Sequence, residues 1–264
     1  MLPLVCIDVD GTLVGPSGDP TQAVWDAAAA AVARGQHLAI CTARGAFGKS
    51  WEYAKRLDPA GWHVFHTGAA LVHTGTGEMI ETPLDASQIE ACAAAAAEQD
   101  WVLEHYTAQA YAVSSTSELA VAHAALMGVA LPSEAPEALP GEVVRVQFVV
   151  EIEHTAAAVA AAPVGTTASA ATSPIMPGAA FVSVTRDTVS KGTAIASLAA
   201  RLGTTVDRVM MIGDGHNDVD AMTAAGHAVA MGNADEDCLA VADRVVADVE
   251  HDGVVEALEL AATL

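Results

Sequence analysis

Residues 4–13 are LVCIDVDGTL, and this stretch decides the fold of the chain. Four apolar residues run into two aspartates at alternate positions, Asp8 and Asp10, and a Gly-Thr turn follows. An unbroken apolar run is typical of a parallel strand buried on both faces, and residues two apart in a strand point to the same side. Ligands of open α/β sheets gather at the carboxyl ends of such strands, so the stretch predicts paired carboxylates at a binding edge.

A second acidic turn lies far along the sequence. Asp214 and Asp218 follow another predicted buried strand, residues 206–212, whose carboxyl end should reach the same sheet edge. Close carboxylates repel each other, and a divalent cation with oxygen ligands offsets that cost most simply. No His or Cys stands at ligand spacing, so the aspartates predict a Mg²⁺-type site rather than a zinc site. The alternative is a strand that ends in a solvated, Asp-rich turn.

The segments around the first strand alternate between helix and strand patterns. Helices ending near Ala33 and Leu57 separate it from predicted strands at residues 37–41 and 62–66. Such a βαβ series predicts a parallel sheet. Hairpins and mixed elements follow, with a Pro-rich connection at residues 131–140, before the α/β rhythm resumes late in the chain. The sequence therefore predicts an α/β fold, with a Rossmann-like parallel-sheet core and an inserted α+β module.

Composition narrows the range of partners. The 264 residues carry a formal net charge of −22, which argues against nucleic acid and anionic membranes. No apolar run reaches the roughly 18 to 20 residues that span a bilayer, and the N-terminus lacks the basic region of a signal peptide. The four cysteines have no CxxC spacing and fit reduced core residues. We therefore expect a cytoplasmic protein with neither a membrane nor a nucleic-acid partner.

Two further positions favour a bound phosphate. Thr42 follows a predicted buried strand, where its hydroxyl and nearby backbone N–H groups can hold a phosphate oxygen. Lys191 begins a predicted helix, so its ammonium and the positive end of the helix dipole favour an anion.

A different phosphate-binding motif competes for part of this region. Residues 43–50, ARGAFGKS, nearly match the P-loop pattern and would place Lys49 on phosphates and Ser50 on Mg²⁺. Ala43 replaces the first glycine of that pattern, however, and the P-loop interpretation leaves the aspartates without a role.

Taken together, the motifs resemble those of the haloacid dehalogenase superfamily of phosphatases. They occur in the order expected there: DVDGTL at residues 8–13, the strand ending in Thr42, KGTA at residues 191–194 and GDGHND at residues 213–218. The insert, together with MGNA at residues 231–234, resembles the Cof-like subfamily with its type IIB cap. The resemblance implies a core of residues 1–82 and 185–264 and an α+β cap of residues 83–184.

The resemblance also implies residue roles. Asp8 would be the nucleophile that forms an aspartyl-phosphate, and Asp10 the general acid and base. Thr42 and Lys191 would stabilise the transferring phosphoryl group. The implied Mg²⁺ ligands are Asp8, Asp10 through its backbone carbonyl, Asp214 and Asp218. The implied substrate- or phosphate-binding residues are Thr42, Ala43, Arg44, Lys191 and Asn217.

The expected activity is a Mg²⁺-dependent phosphomonoester hydrolase acting on a small phosphorylated metabolite. Sugar phosphates are the usual substrates of the resembling subfamily, and the cap would close over them. A phosphomutase that uses the same residues is one alternative, and a non-catalytic phosphate-binding sensor is another. The substrate, the oligomeric state and the role of His216 are left open by the sequence.

Overall fold

The computed structural model describes residues 1–132, 135–173 and 175–264. The chain forms two compact units. Unit 1 holds Met1–Arg44, Ser50–Ile80 and Ser190–Leu264, and unit 2 holds Gly45–Lys49 and Glu81–Val189. The predicted Pro-rich connection, residues 131–140, lies partly outside the described residues.

The α-helices and β-strands follow one another in this order: β1 Leu4–Ile7, α1 Gln22–Ala33, β2 His37–Ile40, α2 Gly48–Leu57, β3 Trp62–Phe65, β4 Ala70–His73, β5 Met79–Glu81, α3 Ala86–Gln99, β6 Val102–Tyr106, β7 Tyr111–Val113, α4 Glu118–Leu126, β8 Arg145–Glu151, α5 Thr155–Ala160, β9 Thr166–Ser173, β10 Met176–Arg186, α6 Lys191–Arg201, β11 Val209–Gly213, α7 Val219–Ala224, β12 His227–Ala230, α8 Glu236–Val241, β13 Arg244–Val245 and α9 Gly253–Thr263.

A parallel sheet lies at the centre of unit 1. Its strand order is β13-β12-β11-β1-β2, so β1 lies between β11 and β2. Every residue of β1 is fully buried, as the apolar run LVCI predicts for a strand covered on both faces. Because β1 and β11 run parallel in register, Leu4 opposite Val209 and Ile7 opposite Ile212, the residues that follow them leave the sheet at one edge.

The first turn of α6 is fixed by its own side chains. Ser190 Oγ accepts a hydrogen bond from the N–H of Thr193 at 3.0 Å, and Thr193 Oγ1 accepts one from the N–H of Ser190 at 3.0 Å. This reciprocal pair is a capping box, which satisfies N–H groups that a helix start leaves without partners. It begins the helix at Lys191 and so fixes the position of that residue.

The third predicted strand joins the parallel sheet only marginally. A single parallel bridge, between Cys41 and Val64, connects β3 with the end of the β2 segment. Instead, β3 pairs antiparallel with β4, and β5 completes a separate sheet. The expected hairpin is therefore present, but it takes most of the hydrogen bonds of β3.

Unit 2 is built on an antiparallel sheet with the strand order β7-β6-β8-β10-β9. Side chains alternate between its two faces. Leu103 and Phe148 lie opposite each other in the apolar core of one face, while Glu104 and Gln147 form the neighbouring cross-strand pair. A parallel-sheet core with an additional antiparallel sheet confirms the predicted fold class.

No helix among the described residues is both long and apolar enough to cross a membrane.

Candidate active site

Three carboxylates from distant parts of the sequence meet at the carboxyl edge of the parallel sheet. Asp8 directly follows β1 and Asp214 directly follows β11, and the N–H of Asp8 donates to the carbonyl of Ile212 at 2.9 Å. One oxygen each of Asp8, Asp214 and Asp218 lies within 4.8 Å of the other two. The structure therefore brings together three of the predicted metal ligands.

Lys191 lies between two of these carboxylates. Its ammonium donates to Oδ1 of Asp8 and to Oδ1 of Asp218, at 2.6 Å in each case, and the side chain is fully buried. Burial alone would lower the pKa of Lys191, but the charges of Asp8 and Asp218 outweigh burial and raise that pKa. Lys191 is therefore a permanent positive charge inside the cluster.

The cluster has more negative than positive charge. Burial, followed by the charge of Asp218, raises the pKa of Asp8 to about 8. Burial also raises the pKa of Asp214 to about 6, although a hydrogen bond from Thr12 opposes the shift. When ionised, the three carboxylates face one ammonium, an excess of two negative charges that a divalent cation would balance. Carboxylate oxygens are the ligands Mg²⁺ prefers, so the residues present fit that ion.

Asp218 is held by donors on both of its oxygens. Oδ1 accepts from Lys191, and Oδ2 accepts from the N–H groups of Asp214 and Gly215, at 3.1 and 3.2 Å. A Cβ at Gly213 would lie 2.6 Å from the Cβ of Asp218, so only glycine permits this close approach. Asp218 therefore orients both Lys191 and the turn that carries Asp214.

Asp10 lies apart from the three clustered carboxylates and is paired with Arg44. The guanidinium of Arg44 donates to both oxygens of Asp10, with Nε at 2.9 Å from Oδ2, in a bidentate pair. The N–H of Arg44 in turn donates to Oγ1 of Thr42 at 3.1 Å. Thr42 is buried, whereas 62% of the Asp10 side chain is exposed. Arg44 thus links the first and second motifs of the sequence.

The remaining predicted site residues lie on the surface. Ala43 is exposed between Thr42 and Arg44, and Asn217 is exposed in the 3-10 helix His216–Asp218. The ring of His216, whose role the sequence left open, pairs with Asp237 at 2.8 Å and is largely exposed. This contact lies on the surface and involves none of the clustered carboxylates. Lys49, the phosphate ligand of the P-loop alternative, is exposed in the first turn of α2.

Sequence reasoning missed three side chains that support the cluster. Thr12 donates to Oδ1 of Asp214 at 2.9 Å, and Asn233 lies 3.4 Å from Oδ2 of the same carboxylate. Asp220 accepts from the N–H of Gly192 at 2.9 Å, next to Lys191. Thr12 and Asn233 stand inside recognised motifs, DVDGTL and MGNA, and that position was the only available signal.

A parallel sheet that gathers three carboxylates and a buried lysine at its carboxyl edge defines an α/β protein with a candidate site at that edge. Residues 5–258 match the family model of haloacid dehalogenase-like hydrolases, and the chain belongs to that family. The resemblance drawn from the motifs, and the hydrolase class it implied, are thereby confirmed.

Individual relatives agree with this assignment along their whole length. The chain is 26% identical over 271 residues to YxeH of Bacillus subtilis (strain 168), covering 98% of this chain and 97% of that protein. The structure of BT1666 from Bacteroides thetaiotaomicron, described as a phosphatase of the haloalkanoate (HAD) superfamily, matches with a TM-score of 0.83 at 25% identity over 100% and 96% of the two chains.

A further solved structure, the HAD subclass IIB sugar phosphatase BT4131, matches with a TM-score of 0.81 at 23% identity. The match covers 99% of both chains. At that identity the likeness establishes the shared fold.

Proposed function

We propose that this protein is a Mg²⁺-dependent phosphomonoester hydrolase that works through an aspartyl-phosphate on Asp8. The observation that carries the proposal is the cluster of Asp8, Asp214 and Asp218 around the buried ammonium of Lys191. Such a site offers a nucleophilic carboxylate, a place for a hard cation and a fixed positive charge for an anionic substrate. YxeH and BT1666, both named as phosphatases, support the same chemistry.

In the first half of the proposed reaction, an oxygen of Asp8 attacks the phosphorus of the substrate. The bond from phosphorus to the leaving oxygen breaks while Asp10 gives that oxygen a proton. In the second half, Asp10 takes a proton from the water that attacks the same phosphorus. The bond between phosphorus and Asp8 then breaks, which releases inorganic phosphate and restores both carboxyl groups.

Other residues stabilise charge during these steps. Lys191 and the hydroxyl of Thr42 would contact the transferring phosphoryl oxygens, where positioning and electrostatics dominate catalysis. Arg44, with Ala43 and Asn217, would complete the binding of the anionic substrate. Because Arg44 donates to both oxygens of Asp10 in the structure, one of these two contacts would have to open for Asp10 to carry the proton that it gives to the leaving oxygen.

Mg²⁺, when bound by Asp8, Asp214 and the backbone carbonyl of Asp10, would shield the anionic nucleophile from the anionic substrate. Asp218 would support these ligands from a buried position, because its Oδ2 accepts from two backbone N–H groups and its Oδ1 accepts from Lys191.

The substrate we propose is a small phosphorylated metabolite in the cytoplasm. A panel of phosphorylated metabolites tests this proposal. It begins with sugar phosphates, because the structural neighbour BT4131 is a sugar phosphatase, and continues with nucleotides and phosphoglycerate derivatives. The four cysteines are all free and buried, which suits a reducing compartment. We assign residues 1–82 and 185–264 to the catalytic core and residues 83–184 to the cap.

Replacing the nucleophile tests the mechanism directly. We expect Asp8→Asn to lower turnover of p-nitrophenyl phosphate by at least roughly 10⁴-fold, since the amide cannot form the covalent intermediate. Asp26→Asn is the matched control because Asp26 is exposed on α1 and accepts a hydrogen bond from Gln22. Both variants should keep the thermal midpoint of the parent protein within a few degrees or raise it.

Two results would contradict the proposal. Retained turnover in Asp8→Asn is incompatible with the covalent mechanism. A parent protein that binds phosphate but releases none from any member of the panel would be a sensor rather than an enzyme. Addition of a sugar bisphosphate distinguishes a phosphomutase from a hydrolase. The phosphomutase would yield an isomerised sugar phosphate, whereas the hydrolase would release inorganic phosphate.

A further inference from the structure

The side chain of Asn233 connects three segments of the chain at the carboxylate cluster. Its Nδ2 donates to the carbonyl of Gly11 at 2.8 Å and lies 3.4 Å from Oδ2 of Asp214. Its Oδ1 accepts from the N–H of Val249 at 2.9 Å. A flipped amide would place its N–H₂ against the N–H of Val249 and its oxygen against two other oxygens. Only one orientation therefore satisfies all three contacts.

These contacts act on both carboxylate-bearing turns. Gly11 follows Asp10 and has a positive φ of 87°. A Cβ at Gly11 would overlap the carboxylate of Asp214, so the two turns touch through a glycine. With Thr12 donating to Oδ1 of Asp214 at 2.9 Å, each oxygen of that carboxylate has a nearby donor. The direction in which Asp214 points is thus set from both sides.

The third contact extends this support further along the first motif. Val249 begins the 3-10 helix Val249–His251, and the next residue, Glu250, accepts from the N–H of Ser17 at 3.1 Å. Asn233 therefore reaches the loop after Asp10 directly, through Gly11, and indirectly, through the Val249–His251 helix.

The backbone of the Asn233 turn is held independently of this side chain. The N–H of Met231 donates to the carbonyl of Gly213 at 3.0 Å, and the N–H of Gly232 donates to the carbonyl of Ala247 at 3.2 Å. The N–H of Ala234 closes the turn onto the carbonyl of Met231 at 3.0 Å. Removing the side chain should therefore leave the turn in place, which makes its contribution measurable.

We propose that Asn233 is a positioning residue that holds Asp214 and the Asp10–Gly11 main chain in the geometry that binds the divalent cation. This inference rests on the proposed function for its catalytic consequence, and its effect on cation binding can be measured without turnover. Asn233 touches neither substrate nor reacting atoms in this scheme. It acts through Asp214 and Gly11.

The experiment compares Asn233→Ala, Asn233→Asp and the parent protein. The alanine removes all three contacts. The aspartate keeps the acceptor for Val249 and the shape of the side chain, but it replaces the amide donor with a negative charge facing Gly11 and Asp214. Gln22→Ala is the matched control. Gln22 is an exposed amide whose Nε2 donates to the carboxylate of Asp26 at 2.8 Å, and neither residue belongs to the carboxylate cluster.

Mn²⁺ serves as the probe, titrated by calorimetry without substrate, and p-nitrophenyl phosphate turnover is measured in parallel. For Asn233→Ala we expect Mn²⁺ affinity to fall about tenfold or more, as is typical when a residue that orients a metal ligand is lost. We expect kcat to fall at least as much at saturating metal, with a smaller change in KM. Asn233→Asp should also lose kcat, and Gln22→Ala should lose neither.

Mn²⁺ affinity and kcat within twofold of the parent in both Asn233 variants would overturn the inference. Loss of kcat with parent-like Mn²⁺ affinity in Asn233→Ala would overturn it as well. If the parent binds Mn²⁺ but hydrolyses no phosphomonoester, the proposed function fails while the Mn²⁺ affinities still decide the role of Asn233. If the parent binds no Mn²⁺, both proposals fail.

Discussion

Unit 1 and unit 2 each bury a carboxylate, and the two carboxylates have opposite surroundings. Asp8 in unit 1 shares its space with two further carboxylates and a single ammonium. Glu104 in unit 2 has donors only: His123 at 2.7 Å on Oε1, and the Tyr106 hydroxyl at 2.6 Å and Gln147 at 3.0 Å on Oε2. Both side chains are almost fully buried, at 5% and 1% exposure.

Burial by itself therefore does not distinguish a functional carboxylate from a structural one. A buried carboxylate is stable when neighbouring groups supply hydrogen bonds to its oxygens, as they do around Glu104. Around Asp8 the balance is incomplete, because three carboxylates face one lysine. We infer that unit 1 keeps this imbalance for a cation and a reaction, whereas the Glu104 network fixes the structure of unit 2.

Among the effects that test this contrast between Asp8 and Glu104, the largest follows from removing the ammonium of Lys191. Lys191→Met should lower kcat/KM about 10³-fold, or roughly 4 kcal/mol of transition-state stabilisation, because Lys191 offsets charge on both Asp8 and the phosphoryl group. The metal-free variant should also unfold at lower urea concentration than the parent. Steady-state kinetics with p-nitrophenyl phosphate and urea titrations measure both effects.

Lys55→Met is the control for that experiment, since Lys55 is exposed in the last turn of α2. It should match the parent in both measurements. If Lys191→Met kept parent-like kinetics, Lys191 would be a structural ion-pair partner and the contrast between the two carboxylates would disappear.

These residues also show how far sequence reasoning extends. The apolar run before Asp8 and the turn at Asp214 have strong local patterns, so the strands and their shared sheet edge were predictable. Thr12 and Asn233 have no such pattern, because a Thr after Gly and an Asn in a turn are explained by turn chemistry alone. Their role depends on contacts across about 200 residues of sequence, between Thr12 and Asp214 and between Asn233 and Gly11.

The Glu104 network was equally invisible in the sequence. Glu104, Gln147 and His123 come from two strands and a helix, and only the register of β6 with β8 places the first two opposite each other. The sequence likewise did not reveal that β3 pairs mainly with β4 and only through one bridge with the end of the β2 segment. An apolar strand is predicted by its composition, but its partner is decided by the connection that brings a neighbour alongside.

The second expected effect tests the opposite side of the comparison. Glu104→Ala should lower the free energy of unfolding by about 3 kcal/mol, because His123, Gln147 and the Tyr106 hydroxyl would lose their buried hydrogen-bond acceptor. Mn²⁺ affinity should stay at the parent value, since the cluster in unit 1 keeps all its members. Urea unfolding and calorimetric Mn²⁺ titration provide the two readouts.

Glu151→Ala is the matched control, because Glu151 is the exposed last residue of β8 in the same sheet. It should change the free energy of unfolding by less than about 0.5 kcal/mol, as is usual for surface substitutions. A Glu104→Ala variant as stable as the parent would show that this network contributes nothing to the fold, and the structural half of the comparison would fail.

The smallest expected effect is a pH dependence of the stabilisation by Mg²⁺, which the Asp8 cluster should produce. Folding raises the pKa of Asp8 from 3.8 to about 8 and that of Asp214 from 3.8 to about 6. At these two carboxyl groups the metal-free folded protein therefore binds more protons than the unfolded chain between about pH 4 and about pH 8, and they lower its free energy of unfolding as the pH rises through that window. A cation needs the ionised carboxylates and competes with the protons.

Mg²⁺ should consequently stabilise the protein more at about pH 8 than at about pH 5, because Asp8 and Asp214 are largely protonated at the lower pH. At one hundred times its dissociation constant, Mg²⁺ should add about 2.7 kcal/mol at the higher pH. Thermal melts with EDTA or with Mg²⁺ at both pH values measure the difference. Asp8→Asn should flatten the pH dependence, and Asp26→Asn should preserve it. An equal Mg²⁺ shift at both pH values would contradict competition between the cation and protons at Asp8 and Asp214, and no shift at either pH would mean that the Asp8 cluster holds no charge for a cation.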